Sequence, residues 1–257
     1  MRYLTAHYTD KGIQKNINQD SLMVLRGEYK KGEAVMAVVC DGMGGLKNGE
    51  VASSEVARLF SKWFQETFEQ IKEKDEEEFE DELYESWENL LQHAHRQIRL
   101  YGQQNGIKIG TTATVFLLMQ ENYYFTHVGD CRLYELTENI SCLTSDQTLA
   151  SLGAMDNRNL IEKQRQKETS SILIQGIGAS EKIRPIYHSG QIRRKAVYLL
   201  CSDGFRHKIS EEELLAAFDP VKMDSEKSME EKAKEITEAV LERGEKDNIS
   251  VILIKTL

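Results

Sequence analysis

The feature that most constrains the fold is the stretch from Thr112 to Leu136, which is rich in strand-forming residues and is interrupted only at "QEN" and "GDC". Interruptions of this length allow tight turns, whereas parallel neighbouring strands need a crossover about as long as a helix. We therefore predict three strands in this stretch, paired as an antiparallel meander: 112–119, 122–129 and 131–136.

Other segments with strand character are separated from the segments with helical periodicity. The further predicted strands are 3–9, 21–25, 34–40, 196–201 and 249–255. Between the predicted strands 34–40 and 112–119, apolar residues recur at helical spacing in two segments. These residues are Val56, Leu59, Phe60 and Trp63 in the first segment, and Phe79, Leu83, Trp87, Leu90, Ala94 and Ile98 in the second. Ser210 and Glu213 fit a capping box that opens a short helix, and 226–243 forms another. This grouping predicts an α+β layered fold with antiparallel sheets.

Composition limits the domain organisation and the class of partner. The 257 residues contain two prolines and no linker-like tract, so we expect one domain over 1–257. No apolar run is long enough for a signal peptide or a membrane span, and we expect a cytoplasmic protein without a membrane partner. The four cysteines lack the close pairing of a zinc site and suit a reducing compartment. A net charge of -9 argues against nucleic acid as a partner.

The least regular part of the middle of the chain extends from about residue 146 to 180. It mixes polar, helix-like pieces with glycine, which is typical of a surface loop. We therefore predict a mobile flap near residues 146–180.

Five aspartates stand at the ends of predicted strands: Asp20, Asp41, Asp130, Asp203 and Asp247. Each alone is typical of a turn. If the sheets bring them within about 4 Å of one another, each like-charge pair costs on the order of 4 kcal/mol at an effective dielectric near 20, so the group needs cations. Ligands that are all oxygen favour Mg²⁺ or Mn²⁺ and disfavour zinc.

These aspartates lie in segments whose order resembles that of the metal-dependent protein phosphatase 2C family, of the compact bacterial type. The segments are "KNINQDS", "VVCDGMGGLKNGEVAS", "GTTATVFLL", "THVGDCRLY", "LTSDQTLA", "LLCSDGF" and "DNISVILI". The resemblance covers essentially the whole chain. It implies a four-layer α-β-β-α sandwich, in which two antiparallel sheets are flanked by helices.

The resemblance also implies a metal centre. Asp41 would bridge two ions, the Gly42 carbonyl would bind one of them, and Asp20, Asp203 and Asp247 would complete the cluster directly or through water. Asp130, together with Asp203, would hold a third, weaker ion.

The implied reaction is a direct hydrolysis. A hydroxide that bridges the ions, positioned by Asp20 and Asp41, would attack phosphorus in line, and no phosphoenzyme would form. The implied substrates are phosphoserine and phosphothreonine proteins. Bacterial relatives commonly oppose a Ser/Thr kinase, and we expect a monomer.

Some positions depart from the family pattern. Lys15 replaces the arginine that grips the substrate phosphate, and lysine lacks the bidentate fork. Met43 replaces a histidine proposed as the acid for the leaving group, and Gln19 replaces a glutamate that could bind through water. In the predicted flap, Ser171 and Gln175 replace asparagine and arginine.

Other functions remain to be weighed. Four residues separate Cys201 from Arg206, whereas a cysteine-dependent phosphatase needs five, and neither G-x-S-x-G nor a P-loop occurs. Lys15 and the altered flap leave open a low-activity or inactive module that binds metal and a phosphorylated partner. A phosphatase of small phosphate esters is a further alternative.

Overall fold

The computed structural model describes residues 1–43, 48–149, 151 and 173–257. These residues form eleven strands and five helices. The strands are β1 (Tyr3–Asp10), β2 (Asp20–Tyr29), β3 (Gly32–Met43), β4 (Gly110–Thr111), β5 (Ala113–Met119), β6 (Asn122–Val128), β7 (Arg132–Leu136), β8 (Ile140–Cys142), β9 (Ile186–Gln191), β10 (Val197–Cys201) and β11 (Ile249–Thr256). The helices are α1 (Gly49–Ile71), α2 (Glu76–Asn105), α3 (Asp203–Arg206), α4 (Glu211–Ala217) and α5 (Glu226–Glu242).

The strands form two antiparallel sheets. Sheet I has the order β1-β11-β10-β7-β8, and sheet II has the order β2-β3-β5-β6-β9, with β4 paired to β3. One apolar cluster lies between the sheets, a second between sheet II and helices α1 and α2, and a third between sheet I and helices α3, α4 and α5. The predicted four-layer α-β-β-α sandwich is confirmed.

Strand β3 shows why the sequence pattern leads to these layers. Met36 and Val38 belong to the cluster under helices α1 and α2, whereas Val35, Ala37 and Val39 belong to the cluster between the sheets. Because successive side chains point to opposite faces, a strand buried on both faces has to be apolar throughout.

The helices also follow the sequence pattern. The residues predicted to face the core of α1 and α2 are buried or packed against the core. Ser210 and Glu213 form the predicted capping box at the start of α4. The helix predicted at 226–243 is α5.

The predicted three-strand meander is wrong at its third strand. Strands β5 and β6 pair as expected, but β7 lies in sheet I, between β10 and β8. The chain changes sheets at the "GDC" segment, where Gly129 has φ +115° and Asp130 and Cys131 are buried. A glycine with positive φ redirects the chain where other residues would be strained, so three residues that could have formed a hairpin instead connect the two sheets.

The predicted flap lies largely outside the described residues, which omit 150 and 152–172. The described residues on either side of this gap are hydrogen-bonded to segments next to β3 and β6. The Gln147 amide donates to the Gly129 carbonyl at 2.7 Å, and Ile177 and Thr111 form an isolated bridge. Both flanks therefore lie next to the segments that carry Asp130 and Asp41.

Across the described parts of the chain, no helix is both long and apolar enough to cross a membrane. Of the four cysteines, Cys40, Cys131 and Cys201 are buried and Cys142 is exposed.

Candidate active site

The centre of the site is a pair of carboxylates on two adjacent strands. Asp20, at the start of β2, lies directly opposite Asp41, near the end of β3. Opposed residues of an antiparallel pair place their side chains on the same face. Asp41 continues the alternation of Val35, Ala37 and Val39, so its face is the one towards sheet I.

Sheet I contributes two further carboxylates. One residue separates the end of β10 from Asp203, the first residue of α3, and one residue separates Asp247 from the start of β11. Ser202 and Ser250 hold these neighbouring strand ends together: the Ser202 amide donates to the Ser250 carbonyl, and the Ser250 amide donates to the Ser202 hydroxyl, both at 3.0 Å.

The five predicted aspartates are near enough to one another for the charges of four of them to act on Asp41. Burial raises the pKa of Asp41 well above its usual value, and the charges of Asp20, Asp203, Asp130 and Asp247 raise it further. Burial, together with the charges of Asp203 and Asp247, raises the pKa of Asp20 to about 7. A cluster of this kind is costly at neutral pH unless positive charge compensates it.

The donor atoms fit divalent cations. Both carboxylate oxygens of Asp20 and Oδ1 of Asp203 are buried and have no hydrogen-bond partner among the described residues. Within the described ranges, no three His, Cys, Asp or Glu side chains form a group that could hold one ion. The free oxygens of Asp20 and Asp203 are the type of donor that Mg²⁺ takes, usually with several waters.

Gly42 closes the end of β3 against its neighbours. Its amide donates to the Gln19 carbonyl at 3.1 Å. A Cβ atom at Gly42 would lie 2.3 Å from the Gly49 carbonyl oxygen and 2.5 Å from that of Gln19. Only glycine allows this approach of β2, β3 and the start of α1.

Two threonines fix the main chain of Asp41. The Asp41 amide donates to the Thr112 hydroxyl at 2.8 Å, and its carbonyl accepts from the Thr112 amide and the Thr111 hydroxyl, both at 2.9 Å. Three hydrogen bonds to one residue position its carboxylate before any ligand binds.

Lys15 lies at the rim of the cluster. Its Nζ is 2.8 Å from Oδ1 of Asp247, and both side chains are partly exposed. Burial opposes protonation of Lys15, but the hydrogen bond to Asp247 and the charges of Asp41 and Asp203 outweigh this and raise its pKa. Lys15 is thus a fixed positive charge beside the carboxylates.

The loop that carries Lys15 is tied to β11 by Asn248, a buried residue to which the sequence reasoning gave no role. The Asn248 amide group donates to the carbonyls of Lys11 and Ile17, and its oxygen accepts from the Gln19 amide at 2.9 Å. Its only signal in the sequence is its place beside Asp247.

The side of the site next to Asp130 contains a second group that sequence reasoning missed. Burial and the charge of Asp203 raise the pKa of Asp130 to about 7, and the charge of Arg206 opposes this rise. Arg206 donates from Nη2 to the Asp130 carbonyl at 3.1 Å. The guanidinium of Arg206 therefore lies at the main chain of Asp130, on the side of the site where the resemblance implied a third cation.

The other departures from the family pattern lie around this site. The Met43 side chain packs against Gly176. A Cβ atom added at Gly176 would lie 2.5 Å from the methyl group of Met43. Gln19 is buried, and the Gln175 side chain accepts from the Arg184 amide. Ser171 lies outside the described residues.

Comparison with known proteins gives the family. The family model described as protein phosphatase 2C matches residues 10–243 of this chain. This chain belongs to the protein phosphatase 2C family. The phosphatase is 29% identical over 253 residues to the serine/threonine phosphatase Stp of Listeria welshimeri serovar 6b, a match that covers 96% of this chain and 93% of that protein. It is a phosphoprotein phosphatase of the bacterial type.

Solved structures share the fold of the phosphatase. The S. agalactiae serine/threonine phosphatase superposes with a TM-score of 0.81 at 24% identity, with 100% of both chains covered. The catalytic domain of the phosphatase PstP, solved in complex with two manganese ions, gives a TM-score of 0.74 at 23% identity and covers 98% of this chain and 97% of that one.

Proposed function

We propose that the phosphatase hydrolyses phosphoserine and phosphothreonine esters of proteins with the help of two divalent cations, Mn²⁺ or Mg²⁺. The observation that carries this proposal is the group of buried carboxylates around Asp41, in which oxygens of Asp20 and Asp203 have no hydrogen-bond partner in the part of the chain that the structure describes. The two manganese ions bound by PstP support it.

In this proposal the residues of the two sheets divide the work of holding the cations. Asp41 and Asp20 bind from sheet II, together with the carbonyl of Gly42. Asp203 and Asp247 bind from sheet I, directly or through water. When bound, the cations would acidify water and offset the charge on the phosphoryl oxygens.

The substrate phosphate would bind at Lys15. This lysine stands at the open rim of the cluster, 2.8 Å from Asp247, with 38% of its side chain exposed. It presents one ammonium group where an arginine would present two parallel donors, so it supplies charge with less control of orientation.

The attacking group would be water, oriented by Asp20 and Asp41. Cys40 and Cys131 are the thiols near these carboxylates, and burial raises the pKa of both, so neither supplies a thiolate. Met43 has no proton to give, so the proton for the leaving oxygen would come from water. No covalent phosphoenzyme is expected.

We further propose that the protein is a cytoplasmic monomer that opposes a Ser/Thr kinase in signalling. The acidic net charge and the relatedness to serine/threonine phosphatases support this role.

The test is hydrolysis of a phosphothreonine peptide and of p-nitrophenyl phosphate with Mn²⁺, with Mg²⁺ and with excess EDTA. We expect turnover only with metal, full recovery when metal is restored, and a higher kcat/KM for the peptide. Equal efficiency on the small ester would instead favour a phosphatase of small phosphate esters. Binding of the phosphopeptide without metal-dependent turnover would favour the inactive module.

A further inference from the structure

Helix α2 contains a buried histidine, His95, whose ring binds the main chain of another segment. Only 5% of the residue is exposed, and the Gly178 amide donates to its Nδ1 at 3.0 Å. An amide can only donate, so Nδ1 is the acceptor and the ring is neutral. Burial agrees with this state, because it lowers the pKa of His95. His95 thus satisfies an amide in the segment that follows the predicted flap.

Gly178 belongs to a tight turn formed by residues 176–180. The Gly176 carbonyl accepts from the Ser180 amide at 3.1 Å, and the Gly176 amide donates to Oγ of Ser180 at 2.9 Å. Gly178 has φ +86°, and a Cβ atom there would lie 2.2 Å from Cγ2 of Ile98 on α2. Only glycine allows the turn to approach the helix this closely.

The same turn is bonded to the strands of the site. Ile177 and Thr111 of β4 exchange two main-chain hydrogen bonds, at 2.8 and 3.0 Å. The Thr111 hydroxyl in turn donates to the Asp41 carbonyl at 2.9 Å. A Cβ atom at Gly110 would lie 2.9 Å from the Ile177 carbonyl oxygen, so the turn and β4 are in close contact. The position of the turn therefore bears on the main chain of Asp41.

One peptide group joins these two sets of contacts. The Ile177 carbonyl and the Gly178 amide belong to the same planar unit. This unit accepts from the Thr111 amide on one side and donates to His95 on the other. A shift of the unit at its His95 end is transmitted to Thr111, because the peptide plane is rigid.

Two other side chains of α2 hold the chain beyond the turn. Arg99 donates to the Glu181 carbonyl, and Gln92 donates to the Ile183 carbonyl at 3.3 Å. These contacts should keep the segment on α2 when His95 is exchanged. Exchange of His95 should therefore loosen the turn without detaching the segment.

We infer that His95 is a positioning residue, which acts on Asp41 through the peptide group that precedes Gly178. This inference rests on the proposed two-ion function, in which Asp41 binds both cations. Residues that orient a metal ligand from outside typically change metal affinity by 10–100-fold when they are exchanged. The loss of the His95 acceptor should therefore weaken metal binding.

The test is the affinity for Mn²⁺ without substrate, measured by the electron paramagnetic resonance signal of free Mn²⁺. His95→Leu removes the acceptor, whereas His95→Asn keeps an acceptor near the position of Nδ1. Leu83→Ala, at a fully buried position about three turns earlier in α2, lowers stability away from the turn and is the control. We expect the dissociation constant to rise about tenfold in His95→Leu. In His95→Asn and Leu83→Ala it should stay close to the wild-type value.

Ser180→Ala loosens the same turn from a partly exposed position, and it decides the matter if His95→Leu does not fold. We expect its dissociation constant to rise as well. Wild-type affinity in folded His95→Leu or in Ser180→Ala would overturn the inference. An equal loss in His95→Asn would do the same, because the acceptor would then not matter. So would an equal loss in Leu83→Ala, because lower stability alone would account for the effect.

The proposed function is tested separately by the wild type. No bound Mn²⁺ in the wild type would refute that function and, with it, the role of His95. Each of the other contrary outcomes would overturn the role of His95 and leave the two-ion function standing.

Discussion

At the scale of single residues, Lys15 is the side chain that we propose to bind the substrate phosphate. It combines a short ion pair with Asp247 and a position at the open rim. A phosphate that binds there has to share the ammonium group with Asp247, which weakens the contact relative to a free lysine.

Exchanging Lys15 should therefore change KM more than kcat. At saturating Mn²⁺, Lys15→Ala should raise KM for a phosphothreonine peptide by about tenfold, since a charge-assisted hydrogen bond of partly exposed groups is lost. Lys15→Arg should lower KM below the wild-type value. Lys11→Ala, an exposed lysine of the same loop, is the control. If Lys15→Ala and Lys11→Ala had the same KM, Lys15 would not bind the phosphate.

Asp20 is a single residue at which the site lowers the stability of the folded protein. Its carboxylate has no hydrogen-bond partner within the described ranges, and burial raises its pKa to about 7, above the value of about 3.9 expected in the unfolded chain. The folded state therefore binds more protons than the unfolded state between these values. Stability contributed by the protonated carboxyl is full below pH 4 and is lost as pH rises through 7.

Asp20→Asn should then stabilise the metal-free protein in alkaline solution. In excess EDTA at pH 8, we expect the free energy of unfolding in urea to rise by about 3 kcal/mol, and the difference should disappear near pH 4. Asp81→Asn, the same change on an exposed helix position, should have no such effect. A difference that did not vary with pH would contradict the burial of a charged Asp20.

At the scale of elements, the helices and strands that a local sequence pattern determines were predicted correctly. The predictions failed where a strand depends on pairing with a segment far along the chain. The helices could be predicted from apolar residues at helical spacing, and buried strands such as β3 from a short continuous apolar run. Strand β9 was missed because "IYHSGQ" is polar and only partly buried, so its pairing with β6 has no local signal. The place of β7 in sheet I was missed because the partner of a strand depends on residues far along the chain.

The site shows the same division. The aspartates could be predicted because each directly follows or precedes an apolar strand. The contacts of Arg206 with Asp130 and Asp146 span 76 and 60 residues of sequence, and no local pattern indicates them.

The junction of β3 with β2 and α1 gives a prediction at this scale. Gly42→Ala places a Cβ atom 2.3 Å from the Gly49 carbonyl oxygen, so the backbone has to shift, and we expect the free energy of unfolding to fall by about 3 kcal/mol. Gly106→Ala has open space around the new Cβ, and its φ of +65° should cost only about 1 kcal/mol. Equal losses in urea unfolding would contradict the tight contact at Gly42, because the new Cβ would then be accommodated there at no greater cost than in open space.

At the scale of the whole molecule, the site exists only because the two sheets pack face to face. Sheet II supplies Asp20 and Asp41, sheet I supplies Asp203 and Asp247, and Asp130 lies on the segment that crosses between them. The apolar cluster between the sheets holds these carboxylates together against their repulsion, and the cations would supply the remaining compensation.

The most direct measurement of this account is the metal-dependent hydrolysis of p-nitrophenyl phosphate by Asp41→Asn, with Asp81→Asn as the control. The charges of all four other aspartates act on Asp41. Loss of its carboxylate should therefore weaken the binding of both cations. We predict that Asp41→Asn loses turnover in saturating Mn²⁺ by more than about 100-fold, while Asp81→Asn keeps the wild-type rate. Wild-type turnover in folded Asp41→Asn, or turnover of the wild type that persists in excess EDTA, would contradict the account.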